Sequence, residues 1–187
     1  MSEGAININI IKKIVCCSVL TAAMCISFCG CSSEPAPNKV FKFDISANPG
    51  TLDPQQANDS ISNTIIENVF AGLMSVNSDG SVSEAVAKEY TVSEDGLVYN
   101  FTLRDDIYWV SADDFEAQCT AKDFVYGFKR LFSPETKSPR ASDYYCIKNS
   151  EAVNNGVNTQ LGVRAVSDFE LEITLDYPNP RFAARQA

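Results

Sequence analysis

Two stretches of strict alternation between apolar and polar residues constrain the fold more than any other feature. The first carries apolar residues at every second position over 97–103, and the second does so over 169–175. A period of two predicts a strand with one buried face. Each stretch follows a turn sequence, Ser93–Gly96 in one case and Ser167-Asp168 in the other. The pattern therefore predicts half-buried antiparallel hairpins.

Helical periodicity occurs between these hairpins. Apolar residues recur at helical spacing over Ile61–Met74, with Asp59 or Ser60 placed to cap the helix, and again over Phe124–Phe132. The second helix follows Thr120–Asp123, which resembles a capping box with Asp instead of Glu. A further strand is predicted where Phe41, Phe43 and Ile45 alternate with polar residues. Strands and helices mix without a regular βαβ period, so the predicted class is a mixed, hairpin-rich α/β fold.

The N-terminus has the pattern of an export signal. Lys12-Lys13 precede Ile14–Phe28, which is apolar and uncharged, and Cys29-Gly30-Cys31 follows. Phe28–Cys31 resembles a bacterial lipobox, which predicts a signal peptide over residues 1–30 and a lipidated (palmitate-bearing) N-terminus at Cys31. The alternatives are an ordinary N-terminal membrane anchor and an uncleaved signal with incidental cysteines.

The residues after Cys31 divide into a tether and a globular part. Residues 31–39 are small, polar and proline-bearing, as in a flexible tether, and residues 40–187 form the globular part. Removal of the leader, with its two lysines and one glutamate, changes the formal charge of the chain from −9 to −10. This acidity argues against a nucleic-acid partner. It favours a protein held at the membrane by lipid rather than by charge.

The composition also argues against an enzyme. The chain contains no histidine, the commonest general base and zinc ligand. No catalytic motif is present, and we expect no cofactor. The doublets Asp105-Asp106 and Asp113-Asp114 lie beside predicted turns, where solvated aspartates are ordinary, so we assign no metal site.

Two cysteines and one tryptophan leave alternatives open. Cys119 and Cys146 could form a disulfide or remain two thiols. Trp109, next to Tyr108, is predicted to pack in the core, and stacking on a ligand is the alternative.

Several short strings, each weak alone, occur in a specific order along the chain. They are Thr51–Pro54, Phe70–Leu73, Ala85–Tyr90, Ser93–Arg104, Trp109, Thr120–Leu131, Ser138-Pro139, Ile147–Asn149 and Leu161–Val163. Together they resemble the N-terminal part of the extracytoplasmic peptide-binding proteins of ABC importers, the oligopeptide/dipeptide family 5. The resemblance extends from about Val40 to Phe182.

This resemblance implies a hinged, two-lobed binding protein of the periplasmic type II class. Such a protein is monomeric, captures peptides outside the cytoplasmic membrane and delivers them to permease subunits. The chain would supply only the beginning of the first lobe, without the second lobe and the C-terminal return. Because the groups that capture peptide termini would lie largely outside it, we expect the chain alone to bind peptides weakly.

The resemblance also places ligand contacts at Asn58, Ser60 and Arg140. The first position is often acidic in the family and the third is a tyrosine, so peptide preference is open. Asn58 and Ser60 could instead cap the Ile61–Met74 helix, and Arg140 could be a solvated loop cation. The resemblance further predicts that Val110–Cys119 is an extended surface loop. Alternative functions are nickel or haem-like solute binding, and a surface lipoprotein acting as a signalling-peptide receptor or adhesin.

Overall fold

The computed structural model describes Lys42, residues 44–111, Asp113 and residues 115–186. The predicted signal peptide, Cys31 and the predicted tether lie outside the described residues, as do Phe41 and Phe43 of the first predicted strand. In chain order the elements are α1 (Ser60–Val69), β1 (Met74–Val76), β2 (Val82–Glu84), β3 (Ala87–Val92), β4 (Val98–Leu103), β5 (Tyr108–Val110), β6 (Glu116–Gln118), α2 (Ala121–Leu131), a 3-10 turn (Ala141–Tyr144), α3 (Ser150–Asn154), β7 (Val163–Ser167), β8 (Glu170–Thr174) and a second 3-10 turn (Ala183–Gln186).

A four-stranded antiparallel sheet in the order β3-β4-β8-β7 organises the fold. Its two central strands are the ones with strict alternation. Phe101 lies opposite Leu171, and Tyr99 lies opposite Ile173. All four of these side chains are buried. The predicted hairpins are therefore confirmed, because apolar residues at every second position give each strand one face that must leave water.

Helix α2 packs on the sheet beside β7 and β8. Its start is fixed by the predicted capping box, in which the Asp123 carboxylate accepts from the Thr120 backbone N–H at 2.7 Å and from its hydroxyl at 3.0 Å. The Ala121 N–H also donates to the Asp168 carbonyl at 2.8 Å. This last bond connects the helix N-terminus to the β7–β8 turn.

Two predictions about the remaining elements were wrong. The first helix ends at Val69 rather than Met74, because Phe70 adopts an extended conformation and the chain enters β1 four residues later. The Val110–Cys119 segment is not a plain loop, since Tyr108–Val110 and Glu116–Gln118 pair as an antiparallel hairpin. The alternation of Ile107 and Trp109 predicts the first of these strands, whereas the second, Glu116–Gln118, lies where a loop was expected.

Candidate ligand-contact site

The structure brings the three predicted site residues together. Asn58 and Ser60 flank the start of α1, and Arg140 immediately precedes the first 3-10 turn. Arg140 Nε donates to the Ala57 carbonyl at 3.1 Å, and its Nη2 donates to Asn63 Oδ1 at 3.1 Å. Arg140 is therefore no free loop cation. Its guanidinium spans the turn that carries Asn58 and Ser60.

Capping explains neither Asn58 nor Ser60. The N-cap is Asp59, whose Oδ1 accepts from the Ser62 N–H at 2.8 Å, and hydrogen bonds from Ser62 lower the pKa of this carboxyl. Asn58 and Ser60 are exposed, and neither side chain makes a hydrogen bond to another described residue. Both side chains are thus open to an external ligand.

A second set of polar contacts fastens the same segment from the other side. Ser138 Oγ donates to the Gln55 carbonyl at 2.6 Å, and Gln55 Nε2 donates to the Gly127 carbonyl at 2.7 Å. Gln56 Nε2 donates to the Thr136 carbonyl. Side-chain hydrogen bonds to backbone carbonyls therefore hold residues 51–63 against α2 and the 133–140 loop.

Arg130 adds an ion pair to this attachment. Both Nη atoms of its guanidinium donate to the Asp53 carboxylate, and Nη1 lies 2.8 Å from Oδ1. Nη1 also donates to Gln55 Oε1 at 3.0 Å. The hydrogen bonds from Arg130 hold the pKa of Asp53 below its usual range. Sequence reasoning did not find this pair, because its members lie 77 residues apart and neither belongs to a charge pattern.

The described arginines whose guanidinium groups make hydrogen bonds differ in their acceptors, and the exposed Arg185 donates to the neutral Asp143 carbonyl. Arg104, Arg130 and Arg164 each face a carboxylate, on Asp106, Asp53 and Glu172 respectively. No carboxylate oxygen of a described residue lies within 4.0 Å of the Arg140 guanidinium, which is half-buried and bonded only to neutral oxygens. Arg140 therefore has no ion-pair partner among the described residues.

An open depression of about 630 Å³ lies next to the attachment contacts. Its lining residues are Gln56, Tyr126, Lys129, Arg130, Ser133, Glu135 and Thr136. None of the three predicted site residues lines it. We take as the candidate site the turn that carries Asn58 and Ser60, together with Arg140, because Asn58 and Ser60 are exposed and make no side-chain hydrogen bond to another described residue.

The remaining candidates are resolved as follows. Trp109 is 43% exposed and packs edge-on against Phe70, with ring centroids 6.4 Å apart, so the prediction that it lies in the core was wrong. Cys119 and Cys146 are separate buried thiols, and burial raises the pKa of Cys119.

The described residues contain no cluster of three or more potential metal-ligating His, Cys, Asp or Glu side chains. Among their helices, none has the length and apolar character needed to span a membrane.

The described residues form a mixed α/β, hairpin-rich fold. Residues 81–187 match the bacterial extracellular solute-binding proteins, family 5 (middle region). The chain belongs to this family, and the predicted fold class is confirmed.

Individual relatives agree with this assignment. The chain is 38% identical over 141 residues to the oligopeptide-binding protein OppA of Bacillus subtilis, covering 74% of this chain and 25% of OppA. It is 35% identical over 172 residues to the dipeptide-binding protein of Lactococcus lactis, covering 91% of this chain and 30% of that protein. The structure of Listeria monocytogenes OppA bound to peptide superposes with a TM-score of 0.72 at 30% identity, covering 76% of this chain and 28% of that one. The chain thus spans between a quarter and a third of these relatives' length.

Proposed function

We propose that the chain belongs to the extracytoplasmic peptide-binding component of an ABC importer. The observation that carries this proposal is that Arg140 bonds both sides of the turn that carries Asn58 and Ser60, in a chain whose relatives are named for oligopeptide and dipeptide binding. In the proposed role, Asn58 and Ser60 contact the peptide directly and Arg140 both fixes their turn and contacts the ligand. No catalytic residue and no cofactor takes part.

The chemistry of this surface suits a ligand of variable sequence. The Asn58 amide and the Ser60 hydroxyl can each donate and accept hydrogen bonds. An extended peptide offers main-chain N–H and C=O groups at every residue, whatever its side chains. Polar contacts of this kind, supplemented by bridging water, bind many peptides without reading their full sequence. Closure of a second lobe over the peptide would then be the signal that the permease reads.

The proposal includes the location of the protein. Residues 1–30 direct export, Cys31 carries the lipid, and residues 31–39 tether a monomeric binding lobe to the outer face of the membrane. If Cys31 is the lipid site, Cys31→Ser will abolish the acyl mass increment and release the protein from the membrane fraction. Cys29→Ser serves as the matched control and should retain the lipid.

A titration of the purified chain with short peptides tests the binding function. We expect nuclear magnetic resonance signals of Asn58, Ser60 and Arg140 to shift on addition of alanine-based tetrapeptides, with an affinity weaker than micromolar. Asn58→Ala should weaken these shifts, whereas Asn100→Ala, at another exposed asparagine on β4, should not.

Two results would contradict the proposal. One is the absence of peptide-dependent shifts in this surface at millimolar peptide. The other is a response of the same signals to nickel or haem but not to peptides, which would favour another solute. Micromolar or tighter peptide binding would leave the function intact but contradict the expectation that the chain alone binds weakly.

A further inference from the structure

The unpaired charge of Arg140 is the feature of the site that peptide main-chain binding does not use. Half-buried charges are normally balanced by a partner, because partial removal from water costs free energy. Arg130, the other half-buried arginine of the described residues, follows this rule by binding the Asp53 carboxylate with both of its Nη atoms. Arg140 keeps its charge without such a partner.

The geometry of Arg140 leaves part of its guanidinium available. Two of its five N–H groups are used, one on Nε toward Ala57 and one on Nη2 toward Asn63. Nη1 has no hydrogen-bond acceptor among the residues that the structure describes. The two existing bonds fix the plane of the guanidinium before any ligand arrives, so little side-chain entropy remains to be lost on binding.

Nearby acidic groups do not neutralise this charge. The Asp59 carboxylate, which accepts from the Ser62 N–H, makes no ion pair with Arg140 within 4.0 Å. The Asp143 backbone N–H donates to the Arg140 carbonyl at 3.1 Å, and the Asp143 carboxylate makes no ion pair with the Arg140 guanidinium within 4.0 Å. Although the whole chain carries a net charge of −9, salt screens such distant charges beyond about 8 Å at physiological ionic strength. Within the described residues, Arg140 therefore makes no direct ion pair.

We infer that Arg140 is a specificity-determining residue that selects ligands bearing a carboxylate, and that it pairs with this group through Nη1 and the free N–H of Nη2. This inference rests on the proposed peptide-binding function and adds a preference within it. The carboxylate can come from an acidic side chain or from the C-terminus of the peptide. Guanidinium and carboxylate match as a two-point pair, which is stronger than a hydrogen bond between neutral groups.

Matched peptides test this preference and identify the source of the carboxylate. The chain is titrated with alanine tetrapeptides that carry Glu or Gln at each position in turn, each with a free or an amidated C-terminus. We expect a free carboxylate at one of these places to tighten binding by about tenfold over its amide counterpart. A Glu-over-Gln difference assigns the side chain, and an acid-over-amide difference assigns the C-terminus.

Three variants separate selectivity from structure. Arg140→Met should reduce the preference for carboxylate peptides to less than twofold. Arg140→Lys keeps the positive charge but lacks the paired N–H groups of the guanidinium, so it should retain part of the preference. Arg181→Met removes the same charge from an exposed residue far from these contacts in sequence and should leave the preference unchanged. A merely structural role for Arg140 would weaken all peptides equally and leave the ratio as it is.

The outcomes distinguish this inference from the function on which it rests. Equal affinity for carboxylate and amide peptides, or a preference that survives in Arg140→Met, overturns the selectivity and leaves peptide binding standing. Failure of every peptide to shift the Asn58 and Ser60 signals overturns both.

Discussion

Two glycines in this fold show that the space around a residue determines how an added methyl group changes the free energy of unfolding. At Gly162 an added Cβ would lie 2.6 Å from Lys148 Cβ and 2.8 Å from the Thr174 carbonyl oxygen. The backbone itself fixes this approach, since Gly162 N–H donates to the Lys148 carbonyl and its carbonyl accepts from Thr174. At Gly127, inside α2, an added Cβ would meet nothing within 4 Å.

The same substitution at these two glycines should therefore have opposite effects. We expect Gly162→Ala to lower the free energy of unfolding by about 1–3 kcal/mol, because the backbone cannot move away without breaking its own bonds. Gly127→Ala should raise it by about 0.5–1 kcal/mol, because alanine restricts the unfolded chain and favours the helix. Urea denaturation of both variants measures the difference. Equal effects of the two substitutions would contradict the geometry.

The proposed role of Arg140 is also decided at this scale. The ligand contact could be predicted from the sequence, but the residue's hydrogen bonds and its lack of an ion pair could not. A family resemblance placed a ligand contact at this residue. The contacts with Ala57 and Asn63 lie 83 and 77 residues away in the sequence, and no local pattern encodes pairs at such distances. That its charge is unpaired could be known only after the fold had positioned every carboxylate.

At the scale of elements, sequence reasoning succeeded where burial imposes a period. Strands β4 and β8 were predicted because each places its apolar residues on one face of the sheet. It failed for the end of α1, where the apolar spacing continues past Val69 although the backbone becomes extended at Phe70. It also failed at Trp109, because the presence of a large aromatic residue does not by itself show whether its side chain is buried in the core or exposed on a surface hairpin.

The central position of β8 gives it a large share of the stability. Leu171 is 1% exposed and lies between Phe101 of β4 and Ala165 of β7. We expect Leu171→Ala to lower the free energy of unfolding by about 2–5 kcal/mol, through lost burial and the cavity left behind. Leu52→Ala, at a leucine that is 55% exposed, is the control and should change it by less than about 0.5 kcal/mol. Thermal or urea unfolding of the pair checks this, and similar losses would show that β8 is not central to the core.

At the scale of the whole molecule, the sheet and residues 51–63, which carry the proposed ligand contacts Asn58 and Ser60, are held by different forces. The sheet and α2 share an apolar core, whereas residues 51–63 are attached mainly through Arg130, Ser138 and Arg140. Polar attachments at a partly exposed surface contribute little individually, about 1 kcal/mol or less for an ion pair. The segment should therefore detach before the sheet unfolds.

Acid should produce this detachment, because the Arg130–Asp53 pair depends on an ionised carboxylate. The pKa of Asp53 is lowered in the folded protein by the hydrogen bonds from Arg130, so its contribution is fully present above the unfolded value of about 3.9. That contribution is lost as the pH falls through the lowered pKa. Near neutral pH it keeps the segment attached, and in strong acid it does not.

Amide chemical shifts followed between pH 7 and pH 2.5 provide the measurement. We expect the signals of Gln55, Ala57 and Gly127 to move together below pH 4 while those of Tyr99 and Phe101 keep their positions. Asp53→Asn, which mimics the protonated acid, should show part of the acid pattern already at pH 7, with the attached population reduced by about fivefold relative to the detached one. Asp105→Asn, at an exposed carboxylate without a hydrogen-bond partner in the described part of the chain, should resemble the wild type at every pH. If Asp53→Asn also behaves as the wild type, the ion pair does not hold the segment, and the hydrogen bonds of Ser138 and Arg140 suffice to present the ligand-contact surface.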